Sequence, residues 1–192
     1  TETLVNAIDL RNANEILLAI MPRIVAQGYV EAIEEAGIRT LTLESHLASI
    51  GRVMSQSETP VLLTKKTPDG VTVFIVKNGT LHFSRTLPAR YLPGSALTAE
   101  IKKIKTSFEA VYREKITEAT LDDVQVQDAF ITIPELAQDK DPHRWIIALG
   151  AAIRGQIPEG KDNLISMLPV GTEEAYAYQR ATTLIVFIRN LV

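Results

Sequence analysis

The sequence predicts an α/β fold: a mixed sheet, begun by an antiparallel three-strand meander, with helices on its faces. Three observations predict it. An apolar run at 61–64, a run rich in β-branched residues at 71–77 and a third strand at 80–86 are separated by TPDG at 67–70 and NG at 78–79. Proline presets one turn dihedral and glycine permits a positive one, and Asn-Gly is the strongest short hairpin signal. After the meander, helical spacing and strand alternation take turns, which suits a mixed sheet flanked by helices.

The elements follow in order. Residues 16–21 (ILLAIM) form a short apolar run, read as a buried strand. Pro22 opens a helix whose apolar positions Val25, Tyr29, Val30 and Ile33 keep helical spacing. Gly37 stops it, because glycine takes the left-handed conformation cheaply. Residues 38–43 alternate as a strand, and Leu47, Ile50, Val53 and Met54 mark a second helix. In the meander, Val71, Val73 and Ile75 share one face. A helix from about Ser95 sets Leu97, Ile101, Ile104, Phe108 and Val111 on one face, with Lys102, Lys103 and Lys105 largely off it. Residues 124–132 read as another strand and 142–154 as a helix ended by Gly155. Beyond it, 156–162 is a polar Pro/Gly linker, 163–169 (NLISMLP) a short extended motif, and Gly171 and Thr172 open a helix with Glu173 and Glu174 in its first turn.

Composition narrows the function. A net charge of −3 over 192 residues gives no electrostatic footprint for nucleic acid. Without cysteine there is neither a disulfide nor a thiolate metal site. The N-terminus has no basic-then-apolar signal pattern. The apolar run at 184–188 is far shorter than the roughly 20 residues that span a bilayer.

The element order is also that of one lobe of the actin-like and ribonuclease H-like folds. Three stretches then resemble the PilM family of type IV pilus assembly proteins, actin-like relatives of FtsA: VEAIEEAGIRT (30–40), KNGTLHFSRTLP (77–88) and ALGAAIRG (148–155). Their order and spacing agree from about residue 16 to 155. Residues 163–169 are similar to the Asn-Leu-Leu-Pro motif of the PilN family, the membrane-anchored partners of PilM proteins. The resemblance implies a PilM–PilN fusion or a GspL-like secretion platform protein. It divides the chain into an actin-like C-terminal half at 1–155, a linker with a docking motif at 156–171, and a juxtamembrane helix at 172–192. A membrane span is expected after Val192, which would hold the chain at the cytoplasmic face of an inner membrane.

The departures from the family matter for chemistry. The resemblance implies that the first phosphate loop belongs to a half preceding Thr1. Where the second would place an acid and a glycine stand Lys65, Lys66 and Thr67, and Asp128-Ala129-Phe130 replaces the Gly-Gly adenosine loop. ATP chemistry of this kind needs carboxylates for Mg²⁺ and glycines beside phosphate. The expectation is therefore no enzyme, no catalytic residue, no metal and no cofactor.

Each candidate has a plainer reading. Lys65 and Lys66 fit an anionic lipid or phosphate, but charge at a hairpin tip also discourages strand pairing. Asp69-Gly70 and Asn78-Gly79 are explained as turns. His46, His82 and His143 have no metal-ligand spacing. Trp145, beside Ile146 and Leu149, reads as core, and the lysine face as solvated surface. The segment singled out for partner binding is Asn163, Leu164, Ile165, Met167, Leu168 and Pro169, whose apolar residues would dock in a groove of an actin-like lobe. Pilus or secretion platform proteins are the expected partners, with homo-oligomers compatible. An actin-like ATPase completed by another half and an unrelated α/β binding module are the competing readings.

Overall fold

The computed structural model describes residues 2–10, 15–54, 58–88, 94–121, 142–157, 164–169, 171–172 and 182. The strand expected at 124–132 and the residue Asn163 lie outside them. The chain divides into two compact units, one drawn from 1–44 and 163–192, the other from 45–162.

The second unit is α/β, with a mixed four-stranded sheet flanked by helices. Strands β3 (Val61–Thr67), β4 (Gly70–Lys77) and β5 (Thr80–Pro88) form the expected antiparallel meander. A short strand, numbered β6 (Thr117–Thr120), pairs parallel to β3, giving the order β5-β4-β3-β6. Strand β4 is buried from Gly70 to Val76, so both faces need cover. On one face Val71, Val73 and Ile75 meet Ile104 and Phe108 of α3 (Ser95–Tyr112). On the other Phe74 and Val76 meet Leu47, Ile50 and Val53 of α2 (His46–Val53) and Leu149 of α4 (Ile146–Gly155). Each buried aliphatic or aromatic side chain contributes roughly 1.5–3 kcal/mol. The alternation read from the sequence fills both cores.

Both hairpin turns have two residues and opposite solutions. Asn78 (φ 50°) and Gly79 (φ 75°) supply the two positive dihedrals that match strand twist. Pro68 cannot take a positive φ, and the unusual dihedral falls instead on Gly70, at 146°. Ser45 caps α2 by accepting from the Leu47 N–H at 3.2 Å. Helix α2 then crosses α4 so closely that a Cβ on Gly150 would lie 1.9 Å from the Ser49 carbonyl oxygen. At the far end of α3, Lys77 reaches both carboxylate oxygens of Glu114, at 2.6 and 2.7 Å.

The first unit holds the hairpin β1 (Thr3–Leu10) and β2 (Glu15–Pro22), followed at once by α1 (Arg23–Glu35). Strand β1 carried no signal strong enough to read from the sequence. The run at 16–21 is a strand but not a buried one: Ile16, Leu18 and Ile20 are exposed, and Val5 stands opposite Ile20 on the same face. Helix α1 ends at Gly37, at φ 76°. Its buried residues are Ala26 and Val30, one turn apart, while Val25 and Tyr29 on the neighbouring stripe are exposed. Residues 38–45 join no ladder among the described residues, so the strand expected at 38–43 is extended chain instead.

Two further readings change. Trp145 closes a 3₁₀ turn (Pro142–Trp145) ahead of α4 and is 38% exposed, with the Arg144 guanidinium 4.8 Å over its ring. The turn breaks the helical phase, so the position that a continuous helix would bury faces out. Val111, placed on the buried face of α3 by spacing, is also exposed; Tyr112 rather than Val111 continues the stripe of Ile104 and Phe108 against the sheet.

Candidate functional site

The segment 164–169 is extended and belongs to the first unit. Apolar side chains at this spacing cannot all face one way in an extended chain, and the burial divides accordingly. Met167 is 5% exposed and Pro169 is buried, whereas Leu164, Ile165 and Leu168 are half-buried.

Polar contacts fix the register. The Met167 N–H donates to the Leu43 carbonyl oxygen at 2.7 Å. The Asn6 side-chain amide donates to the Ser166 carbonyl oxygen at 2.6 Å. The Ser166 hydroxyl oxygen accepts longer bonds from the Leu43 N–H at 3.3 Å and the Leu168 N–H at 3.4 Å. Leu43 thus offers both its backbone groups, the carbonyl to backbone and the amide to a side chain. That mixture explains why residues 38–44 are extended without forming a ladder. Thr40, in the same stretch, is buried.

The sequence pointed to the apolar residues and missed Ser166, Asn6 and Leu43. The signal for Ser166 was a hydroxyl in the middle of an otherwise apolar extended motif. Asn6 and Leu43 lie 160 and 123 positions away from Ser166, a separation that local patterns do not encode.

The region set against nucleotide binding is also defined. Lys65, Lys66 and Thr67 continue β3 in register with Thr72, Val71 and Gly70, leaving a two-residue turn and no loop that could wrap a phosphate. The Thr67 hydroxyl donates to the Gly70 carbonyl at 3.3 Å, closing the turn on itself. Partial burial, and next the charge of Lys65, lower the His46 pKa from its ordinary value. Among the described residues no three His, Asp or Glu side chains could hold a metal ion together. No helix among them is long and apolar enough to cross a membrane. The chain by itself is expected to bind Mg·ATP more weakly than micromolar; calorimetry giving about −8 kcal/mol would contradict this.

A scan against protein-family models finds no match, and no curated protein matches the chain.

Proposed function

We propose that the chain is a non-catalytic scaffold that works by holding a short extended peptide, the segment 163–169, against the 38–44 stretch. One observation carries this reading: the Met167–Leu43 backbone bond, made beside a buried Met167 side chain. Backbone bonding with selected side chains inserted is how extended peptides are recognised generally. The PilM-like motifs at 30–40, 77–88 and 148–155 and the PilN-like motif at 163–169 support a finer reading. On it, the four-stranded sheet belongs to an actin-like lobe of a pilus or secretion platform at the cytoplasmic face of an inner membrane, and residues after Val192 supply the anchor.

The test is local. Met167→Ala removes the buried anchor and leaves the other apolar residues in place. Truncating a buried methionine costs about 2–5 kcal/mol, so the Met167 amide should exchange roughly 30-fold faster or more, at 1.4 kcal/mol per tenfold. Leu168→Ala, at a half-buried side chain, should change exchange by much less. Equal protection of residues 164–169 in the parent and the Met167 variant would reduce the segment to a linker and remove the proposal.

A further inference from the structure

A trans peptide unit sends its carbonyl oxygen and its N–H in opposite directions, and the unit joining Ser166 to Met167 is held at both. On one side the Asn6 amide donates to the Ser166 carbonyl oxygen at 2.6 Å. On the other the Met167 N–H donates to the Leu43 carbonyl oxygen at 2.7 Å. The segment is thus gripped between β1 and the 38–44 stretch at a single peptide unit. Asn6 is also aimed, because its Oδ1 accepts from the Ala7 N–H at 2.8 Å. That N–H can only donate, so the amide oxygen faces it and the NH₂ end faces the segment.

The Ser166 side chain adds a second condition. Its hydroxyl oxygen accepts from Leu43 and from Leu168, so both of its acceptor positions are in use. Together with Pro169 it excludes the other registers. A slip of one residue in an extended chain turns every group to the opposite side, which would set a carbonyl where Leu43 needs an N–H. A slip of two in one direction offers the unit ending in Pro169, which has no N–H to donate. A slip of two in the other puts Leu164 where Ser166 stands, and the Leu43 N–H loses the hydroxyl.

We infer that Asn6 is the residue that sets the register of the bound peptide, and that the site selects one pattern: a hydroxyl residue, a long apolar residue, any residue, then proline. The inference rests on the reading of 163–169 as a held segment and says what that site requires. Asn6 grips a carbonyl, which every peptide has, and so fixes position without reading a side chain. The bonds from the Leu43 and Leu168 N–H groups then demand serine or threonine at 166. The buried place of Met167, 5% exposed, demands an apolar side chain of its length. A partner's peptide entering the site meets the same terms as the chain's own.

Amide exchange in the full chain, corrected for intrinsic rates, is the measurement, with Met167→Ala as the reference for a released segment. Asn6→Asp keeps the size of the side chain and an oxygen for the Ala7 N–H, but turns a second oxygen toward the Ser166 carbonyl. The Met167 and Leu168 amides should then exchange about tenfold faster or more, since a donor has become a repelling acceptor. Amides in the β1–β2 ladder should keep the parent's rates. Ser166→Ala should speed the same two amides about tenfold, whereas Ser166→Thr, which retains the hydroxyl, should stay within about threefold of the parent. If Asn6 merely braced β1 through Ala7, Asn6→Asp would match the parent, and the inference would fall. It falls equally if Ser166→Ala and Ser166→Thr exchange alike. Either result beside fast exchange in Met167→Ala would leave the held segment standing without this register. Parent-like protection in Met167→Ala would remove both.

Discussion

Replacing Gly150 with alanine is expected to destabilise the unit built on the four-stranded sheet by about 2–3 kcal/mol, the usual range for overpacking. The added Cβ would sit 1.9 Å from the Ser49 carbonyl oxygen and 2.5 Å from its carbon. Ordinary contact lies well beyond 3 Å, so α2 and α4 must part by more than 1 Å, roughly the reach of one methyl group. That movement draws Ile146 and Leu149 away from the core they share with Leu47 and Ile50. Alanine favours helix over glycine by about 1 kcal/mol and opposes the loss. The clash should still decide the sign, because the obstacle is backbone and cannot rotate aside. Gly51→Ala is the control. Its nearest neighbours would be Val76 methyls at 3.4 Å, an ordinary contact, so it should be neutral or slightly stabilising. Trp145, the one tryptophan in the sequence, lies just before α4 and reports this unit's unfolding by fluorescence. The expected fall in Tm is roughly 10 °C for a unit of this size. A Gly150→Ala chain that melts at or above the parent's temperature would mean that the helices do not cross this closely.

Gly70→Ala should cost as much or more, about 3 kcal/mol, through a different mechanism. At φ 146° the backbone occupies a region that L side chains rarely adopt, worth about 1–3 kcal/mol of strain. The new Cβ would also meet the Leu87 carbonyl oxygen at 1.9 Å. Losing glycine's freedom in the unfolded chain returns at most about 1 kcal/mol. Fraying the hairpin end would relieve the clash but would expose Val71 and Leu87, both buried against α3's side of the sheet. Urea unfolding should therefore move to a lower midpoint with an unchanged slope. A change below about 1 kcal/mol would show that the end of the hairpin yields without disturbing that core.

The meander was legible because its information is local. Asn78-Gly79 and Pro68-Asp69-Gly70 mark turns, and Val71, Val73 and Ile75 alternate between them. Helices α2 and α3 were legible from their spacing. What escaped depends on distant partners. The strand β6 (TEAT) has little hydrophobic signal and exists through its pairing with β3, more than fifty residues earlier. Trp145 and Val111 carried the right residue type in the wrong phase, one at the end of a 3₁₀ turn and one beside the stripe that Tyr112 continues. In the candidate site, the apolar content of 164–169 was visible, but which side chain is buried was not. Met167 is selected by the bond its own amide makes to Leu43, and nothing within ten residues of it foretells that.

The pairing of Leu43 with Met167 encloses the whole 45–162 unit within a single chain excursion. Synthesis therefore completes the sheet and its helices before the last strip of the first unit emerges. Until then residues 38–44 offer the Leu43 carbonyl and amide with no partner from 164–169. The same contacts would accept residues 164–169 of a neighbouring copy, since nothing in them distinguishes one chain from another. Tethering favours the self-contained form, because a segment on the same chain competes at an effective concentration of order millimolar. Exchange between copies becomes competitive only where molecules are crowded to that level, as on a two-dimensional array, and there the segment would link neighbouring copies together.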